Sequence, residues 1–198
     1  MTKDSFLYVV VFTFLVAFVF VFLIALVDEA TSERVLLNRE RATAEAFLNA
    51  VGIPLEGDVR ELYKSSFGQP NSDGIVTTTV DGRRVVARQF TGNGLWGAVS
   101  GVLALDPEEN MIVGLDIISH SETPGLGGRI EEDWFKEQFR GELIPPDGLR
   151  VMKGEGGMDM DQGNGMVDGV TGASLTSAAM ETIVNDEIDM LMKGADDE

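Results

Sequence analysis

Ile75-Val76-Thr77-Thr78-Thr79-Val80-Asp81-Gly82-Arg83-Arg84-Val85-Val86-Ala87-Arg88-Gln89-Phe90 decides the fold. Two runs rich in β-branched residues flank Asp81-Gly82, a pair that accepts the positive φ of a two-residue turn, so the stretch reads as a β-hairpin. A second hairpin is expected from residues 98–105 and 111–118 around Asp106-Pro107-Glu108-Glu109-Asn110, a cluster of turn formers. Working outward, the period changes. Residues 28–50 contain neither Gly nor Pro, and Val35, Leu36, Ala42, Ala46, Phe47, Leu48 and Val51 recur at loosely helical spacing until Gly52-Ile53-Pro54 supplies a stop. Residues 129–140 read as a short amphipathic helix carrying Ile130, Trp134, Phe135 and Phe139. Pro145-Pro146-Asp147-Gly148 breaks the chain, 149–152 offer a further strand, and Leu175, Ala178, Ala179, Ile183, Ile188 and Leu191 mark a closing helix over 175–193. Hairpins in the middle with helices towards the ends give an α+β fold with an antiparallel sheet and flanking helices. The G-x-G-x-x-G string at residues 92–97 leads into another strand run rather than a helix, which argues against dinucleotide binding.

Two loops carry the chemistry. Asp168-Gly169-Val170-Thr171-Gly172-Ala173-Ser174-Leu175-Thr176-Ser177 runs a glycine-rich turn into the closing helix. A helix start presents unpaired N–H donors and the positive end of the macrodipole, which stabilise a phosphate without a basic side chain. The plainer reading is a turn whose Ser and Thr cap a helix. The other loop is His120-Ser121-Glu122-Thr123-Pro124-Gly125-Leu126-Gly127-Gly128, where Pro124 fixes φ and the glycines permit close backbone approach to a flat ligand.

Together with Gly94-Leu95-Trp96, these motifs resemble the RnfG/NqrC family of covalent-FMN subunits of ion-translocating membrane oxidoreductases. In that family a Glu-Thr-Pro-Gly-Leu-Gly segment precedes an Asp-x-x-Ser/Thr-Gly-Ala-Thr segment whose last hydroxyl carries FMN through a phosphoester bond. Ser174 occupies that position, within a motif that includes Asp168, Thr171, Gly172 and Ala173. Serine keeps the attacking oxygen but lacks the γ-methyl that restricts χ1 in threonine. The resemblance further implies that Thr123 and Leu126, in a loop with Glu122 and Gly125, lie against the flavin. Leu95 and Trp96 stand beside its ring, and Lys153 offsets the phosphate charge. It implies an electron-transfer subunit rather than a stand-alone enzyme, matured by a separate flavin transferase using FAD and working among other membrane subunits of an Rnf- or Nqr-type complex. A length of 198 residues leans toward the Rnf type, with the Nqr type as the alternative.

Residues 6–27 carry no charge and at about 1.5 Å per residue span roughly 33 Å, enough for a bilayer core. A cleaved signal peptide is the rival reading, but the apolar run exceeds a usual signal core and no small-x-small site follows. Lys3 precedes the span and Asp28, Glu29 and Glu33 follow it, so the positive-inside bias puts the N-terminus in the cytoplasm and the domain outside, on an inner membrane. The expected divisions are a tail and transmembrane helix over 1–27, a stalk helix over 28–52 and an FMN-binding domain over 53–198 ending in a short acidic tail.

Thirty-three acids against 15 bases give a net charge of −18, a surface unsuited to nucleic acid. The same field opposes holding an anionic cofactor by reversible contacts alone. The absence of cysteine excludes disulfides, iron–sulfur clusters and thiolate metal sites. Asp159, Asp161 and Asn164 raise a calcium site, but Asn164 and Val170 stand where an EF-hand needs Gly and Glu. Two other classes compete with the flavoprotein. Ser174, His120 and Asp168 supply the residue types of a serine hydrolase, although Gly172-Ala173-Ser174-Leu175-Thr176 lacks the second glycine of a nucleophile elbow. A membrane-anchored binding module without cofactor would use both loops only as turns.

Overall fold

The computed structural model describes residues 6–153, 159 and 161–196. Much of the glycine- and acid-rich loop expected over 154–165, and the end of the acidic tail, lie outside the described residues. Helix α1 (Phe6–Val51) is continuous, as expected of a segment with no Gly or Pro in 46 residues. Its end has a physical cause. Gly52 takes φ +84, its N–H donates to the Asn49 carbonyl, and the Ile53 N–H donates to Leu48, the paired bonds of a Schellman cap.

The chain divides into two compact units, residues 1–40 and 41–198. In the first, α1 is long and apolar enough to cross a membrane, and Phe14, Phe18 and Phe22 stack along it at four-residue spacing.

The second unit is built on a four-stranded antiparallel meander in the order β1 (Ile75–Val80), β2 (Arg83–Asn93), β3 (Ala98–Asp106) and β4 (Met111–Ser119). Asp81 and Gly82 both adopt positive φ, 52° and 81°, as a primed hairpin turn requires. Alternation sorts the sheet residues onto two cores. Val86, Phe90, Leu103, Leu105 and Ile112 pack with α4 (Ser174–Asp196), whereas Val76, Val85, Ala87, Val102 and Ala104 pack with the end of α1 and with α2 (Val59–Ser66). A helical layer therefore covers each face of the sheet.

Three elements differ from the sequence reading. Residues 129–140 are not one helix: two short 3-10 turns, Gly127–Glu131 and Glu137–Phe139, flank a single turn α3 (Asp133–Lys136). The break falls at Glu132, whose ψ of 145° is extended and whose carboxylate accepts from Trp134 Nε1. Strand β2 runs three residues past Phe90, so Gly94–Gly97 is the tight turn of a β2–β3 hairpin, closed by Gly94 N–H to the Gly97 carbonyl. The strand near 150, β5 (Arg150–Met152), pairs in parallel with β6 (Met166–Asp168) as a separate two-stranded sheet.

Candidate functional site

Helix α4 opens at Ser174, directly after a turn in which Gly172 takes φ +81, a conformation that disfavours any residue with a Cβ. The Ser177 N–H donates to the Ala173 carbonyl, so Ala173 is the cap and the first helical N–H groups belong to Ser174 and its neighbours. The β5–β6 ladder delivers this turn. Met152 stands opposite Asp168, and the Gly169 N–H donates to the Met152 carbonyl at 2.7 Å. Lys153, the residue after β5, is thereby brought to the same groove as Ser174 and Thr171, a cavity of about 190 Å³ that also includes Gly172, Ala178 and Glu181.

The hydroxyls of the motif differ sharply. Thr176 and Ser177 are buried at 1% and 5% exposure, while Thr171 and Ser174 face solvent. Ser177 Oγ accepts from the Val170 N–H and donates to the Ala173 carbonyl, which holds the turn shut. Asp168 is tied through its backbone, donating to Gln138 Oε1 and accepting from Gln138 Nε2. Ala173 is buried against the core.

The loop after β4 reaches this turn. Thr123 offers its carbonyl to the Leu126 and Gly128 N–H groups, Gly125 takes φ +74, and Leu126, 46% exposed, lies 3.4 Å from where a Cβ on Gly172 would stand. Glu122 is only 4% exposed. Its Oε1 accepts from Leu95 N–H at 2.7 Å and Trp96 N–H at 3.1 Å, and its Oε2 accepts from Thr176 Oγ at 2.7 Å. Burial pushes this carboxyl up, but the Thr176 hydroxyl, the Trp96 and Leu95 amides and nearby His120 outweigh burial and hold it below the ordinary glutamate value. Through Glu122 the hairpin tip bearing Leu95 and Trp96, both solvent-exposed, is tied to the start of α4.

The expected residues thus fall in one region, with Lys153 and Ser174 in the groove and Leu126 beside Gly172. His120 does not complete a hydrolytic triad. Its Nδ1 accepts from the Glu122 N–H and its Nε2 faces Glu131 at 3.2 Å, and neither bond reaches Ser174. Asp159 accepts from Asp161 N–H and Asn164 Nδ2, the pattern of a self-bonded polar turn. Sequence reasoning missed Glu181, whose carboxylate accepts from the Val151 N–H. The signal was present: positions 174, 178 and 181 share one helix face.

The groove suits a phosphate group. It combines an exposed hydroxyl, a helix N-terminus and one lysine, with exposed apolar side chains nearby on Leu126 and Leu175.

Residues 94–189 match the family described as FMN-binding domain. Among curated proteins, the chain is 40% identical over 94 residues to the NqrC subunit of the Na⁺-translocating NADH-quinone reductase of Neisseria meningitidis serogroup A, covering 46% of this chain and 35% of that protein. It is 36% identical over 101 residues to the same subunit of the Chlamydia muridarum enzyme, covering 43% and 32%. The matches thus span about a third of the length of these relatives. The crystal structure of the corresponding subunit from Parabacteroides distasonis shares the fold, with TM-score 0.62 and 21% identity over 77% of this chain and 92% of that one. These relatives are of the Nqr type, which favours that alternative over the Rnf assignment expected from length. Residues 94–189, which carry both motif loops, thus match an FMN-binding domain, and in sequence and fold the chain resembles the RnfG/NqrC family of FMN-binding subunits.

Proposed function

We propose that this protein is the NqrC-like electron-transfer subunit of a membrane oxidoreductase complex, carrying FMN esterified through its phosphate to Ser174. The observation that carries the reading is the contrast among the hydroxyls around the start of α4. Thr176 and Ser177 are buried and spent on internal hydrogen bonds, whereas the Ser174 hydroxyl opens into the groove that also holds Lys153. Thr171 is exposed as well, but it precedes the helix and lacks the donors of the first helical turn. Attachment forms the Oγ–P bond of Ser174, and with FAD as donor in a separate flavin transferase it releases AMP and the hydroxyl proton.

FMN, when bound, supplies reversible electron transfer. The chain's share is positional. Ser174 fixes the phosphate end, the N-terminal dipole of α4 and Lys153 offset its charge, and Thr123, Leu126, Leu95 and Trp96 offer the surfaces for the ring. Glu181 sets a carboxylate in the same groove, so reversible phosphate binding is opposed there and a covalent bond answers that opposition. Residues 6–27 anchor the chain, residues 28–52 connect the anchor to the domain, and the charges flanking the span favour a cytoplasmic N-terminus with the FMN domain on the other side of the inner membrane. Neighbouring membrane subunits then supply and remove the electrons, coupled to Na⁺ or H⁺ movement.

The test is mass spectrometry of the peptide 154–193 from protein made alongside a flavin transferase. An increment of FMN less one water on Ser174 is expected, and it should vanish in Ser174→Ala. An unmodified peptide from the parent chain, exported normally, overturns covalent attachment.

A further inference from the structure

We infer that Glu122 is a positioning residue, whose buried carboxylate fixes the hairpin tip carrying Leu95 and Trp96 at a set place relative to Ser174. The inference rests on the proposed FMN site for its consequence, though not for its geometry.

Three donors from two separate segments meet on this one side chain. Leu95 and Trp96 lie 27 and 26 residues before it and donate their backbone N–H groups, while Thr176 lies 54 residues after it and donates its hydroxyl. Bonds from neutral donors to a buried carboxylate are among the stronger ones a protein makes, and losing the acceptor leaves three donors unsatisfied. Glu122 is itself held from behind, its own N–H donating to His120 Nδ1 while the opposite ring nitrogen faces Glu131.

The surroundings are shaped to admit it. A Cβ on Gly94 would lie 2.5 Å from Glu122 Oε1, and a Cβ on Gly127 would lie 2.7 Å from Oε2 and 2.5 Å from Thr176 Oγ. Two glycines from different loops therefore leave room for the same carboxylate. At 4% exposure Glu122 has little surface to offer a cofactor, so it acts through what it holds. What it holds is the exposed Trp96 ring on one side and, two residues from Thr176, the attachment hydroxyl on the other. A flavin tethered at Ser174 and facing Trp96 would have its reach set by this lock.

The experiment uses the full chain in detergent, with Glu122→Ala and Glu122→Gln each made with and without Ser174→Ala. In the flavin-free Ser174→Ala chains, hydrogen exchange at the Leu95 and Trp96 amides should rise about tenfold or more in Glu122→Ala. Glu122→Gln should stay near the parent, because its amide oxygen can accept from both N–H groups and its NH₂ can donate to Thr176. In the flavin-bearing chains, Glu122→Ala should keep the covalent mass on Ser174 but alter the visible circular dichroism of the flavin, with Glu122→Gln restoring it. Should Glu122→Ala not accumulate as folded protein, Thr176→Val removes one donor and carries the same expectation at smaller amplitude. Unchanged exchange at Leu95 and Trp96 in the flavin-free chains overturns the lock. Raised exchange with an unchanged flavin spectrum overturns its bearing on the flavin. A parent chain that takes up no flavin fails the proposed function alone, since the exchange comparison still decides the positioning role.

Discussion

At the scale of single residues, four hydroxyls sit between positions 171 and 177, and burial separates them in a way that motif matching does not. Ser174→Thr should retain covalent FMN, since the added γ-methyl only narrows the side chain's rotamers, and Thr176→Val should retain it because that hydroxyl is committed to Glu122. Peptide mass spectrometry reads both. The glycines around Glu122 make a second prediction: Gly127→Ala forces a methyl group within 2.5 Å of Thr176 Oγ and should lower stability by about 1–3 kcal/mol in thermal unfolding. The residue types of the candidate site are written in the sequence where Ser174, Leu126 and Trp96 stand in recognisable motifs, whereas Lys153 stands outside any motif. The part played by Glu122 is not legible there, because the bonds that define it span 26 to 54 residues and leave no local pattern.

At the scale of elements, both hairpins and the closing helix follow from local chemistry. Asp81-Gly82 can adopt the turn that few other pairs can, and α4 repeats its apolar positions over more than five turns. The elements that escaped detection are short. β6 has three residues and α2 eight, too few for a period to declare itself. Residues 129–140 misled for a different reason. Their apolar spacing suits a helix, but burying Ile130, Phe135 and Phe139 in one core is achieved with Glu132 in extended backbone, a tertiary outcome that overrides local preference. The C-terminal cap of α1 yields a prediction at this scale. Gly52→Ala places a Cβ at φ +84 and 3.3 Å from Arg140 Nη1, so a loss of about 1–2 kcal/mol is expected in denaturant unfolding of the detergent-solubilised chain.

At the scale of the whole molecule, the excess of acid shapes the response to pH. Burial is the main cause pushing the Glu142 carboxyl up, with Asp159 and Asp161 adding to it against the Gly165 and Met166 N–H bonds. A carboxyl raised in the folded state binds its proton more readily there than in the unfolded chain, so its ionisation costs stability at neutral pH and that cost fades as pH falls. Glu142→Gln should therefore raise the melting temperature at pH 7, and the advantage should shrink as pH is lowered toward the ordinary glutamate value of 4.5. Melting curves across that range check the sign. Glu122, held below its ordinary value, runs the other way: its contribution is present above 4.5 and is lost as pH falls through its folded value.

The register of Arg150 with Met166 and of Met152 with Asp168 has a practical corollary. With both rails of that ladder clamped, the separation between positions 152 and 168 is independent of how many residues join them, and lengthening the join is penalised only logarithmically. A chain lengthened between Met152 and Asp168 should therefore still load flavin on Ser174, which peptide mass spectrometry reads.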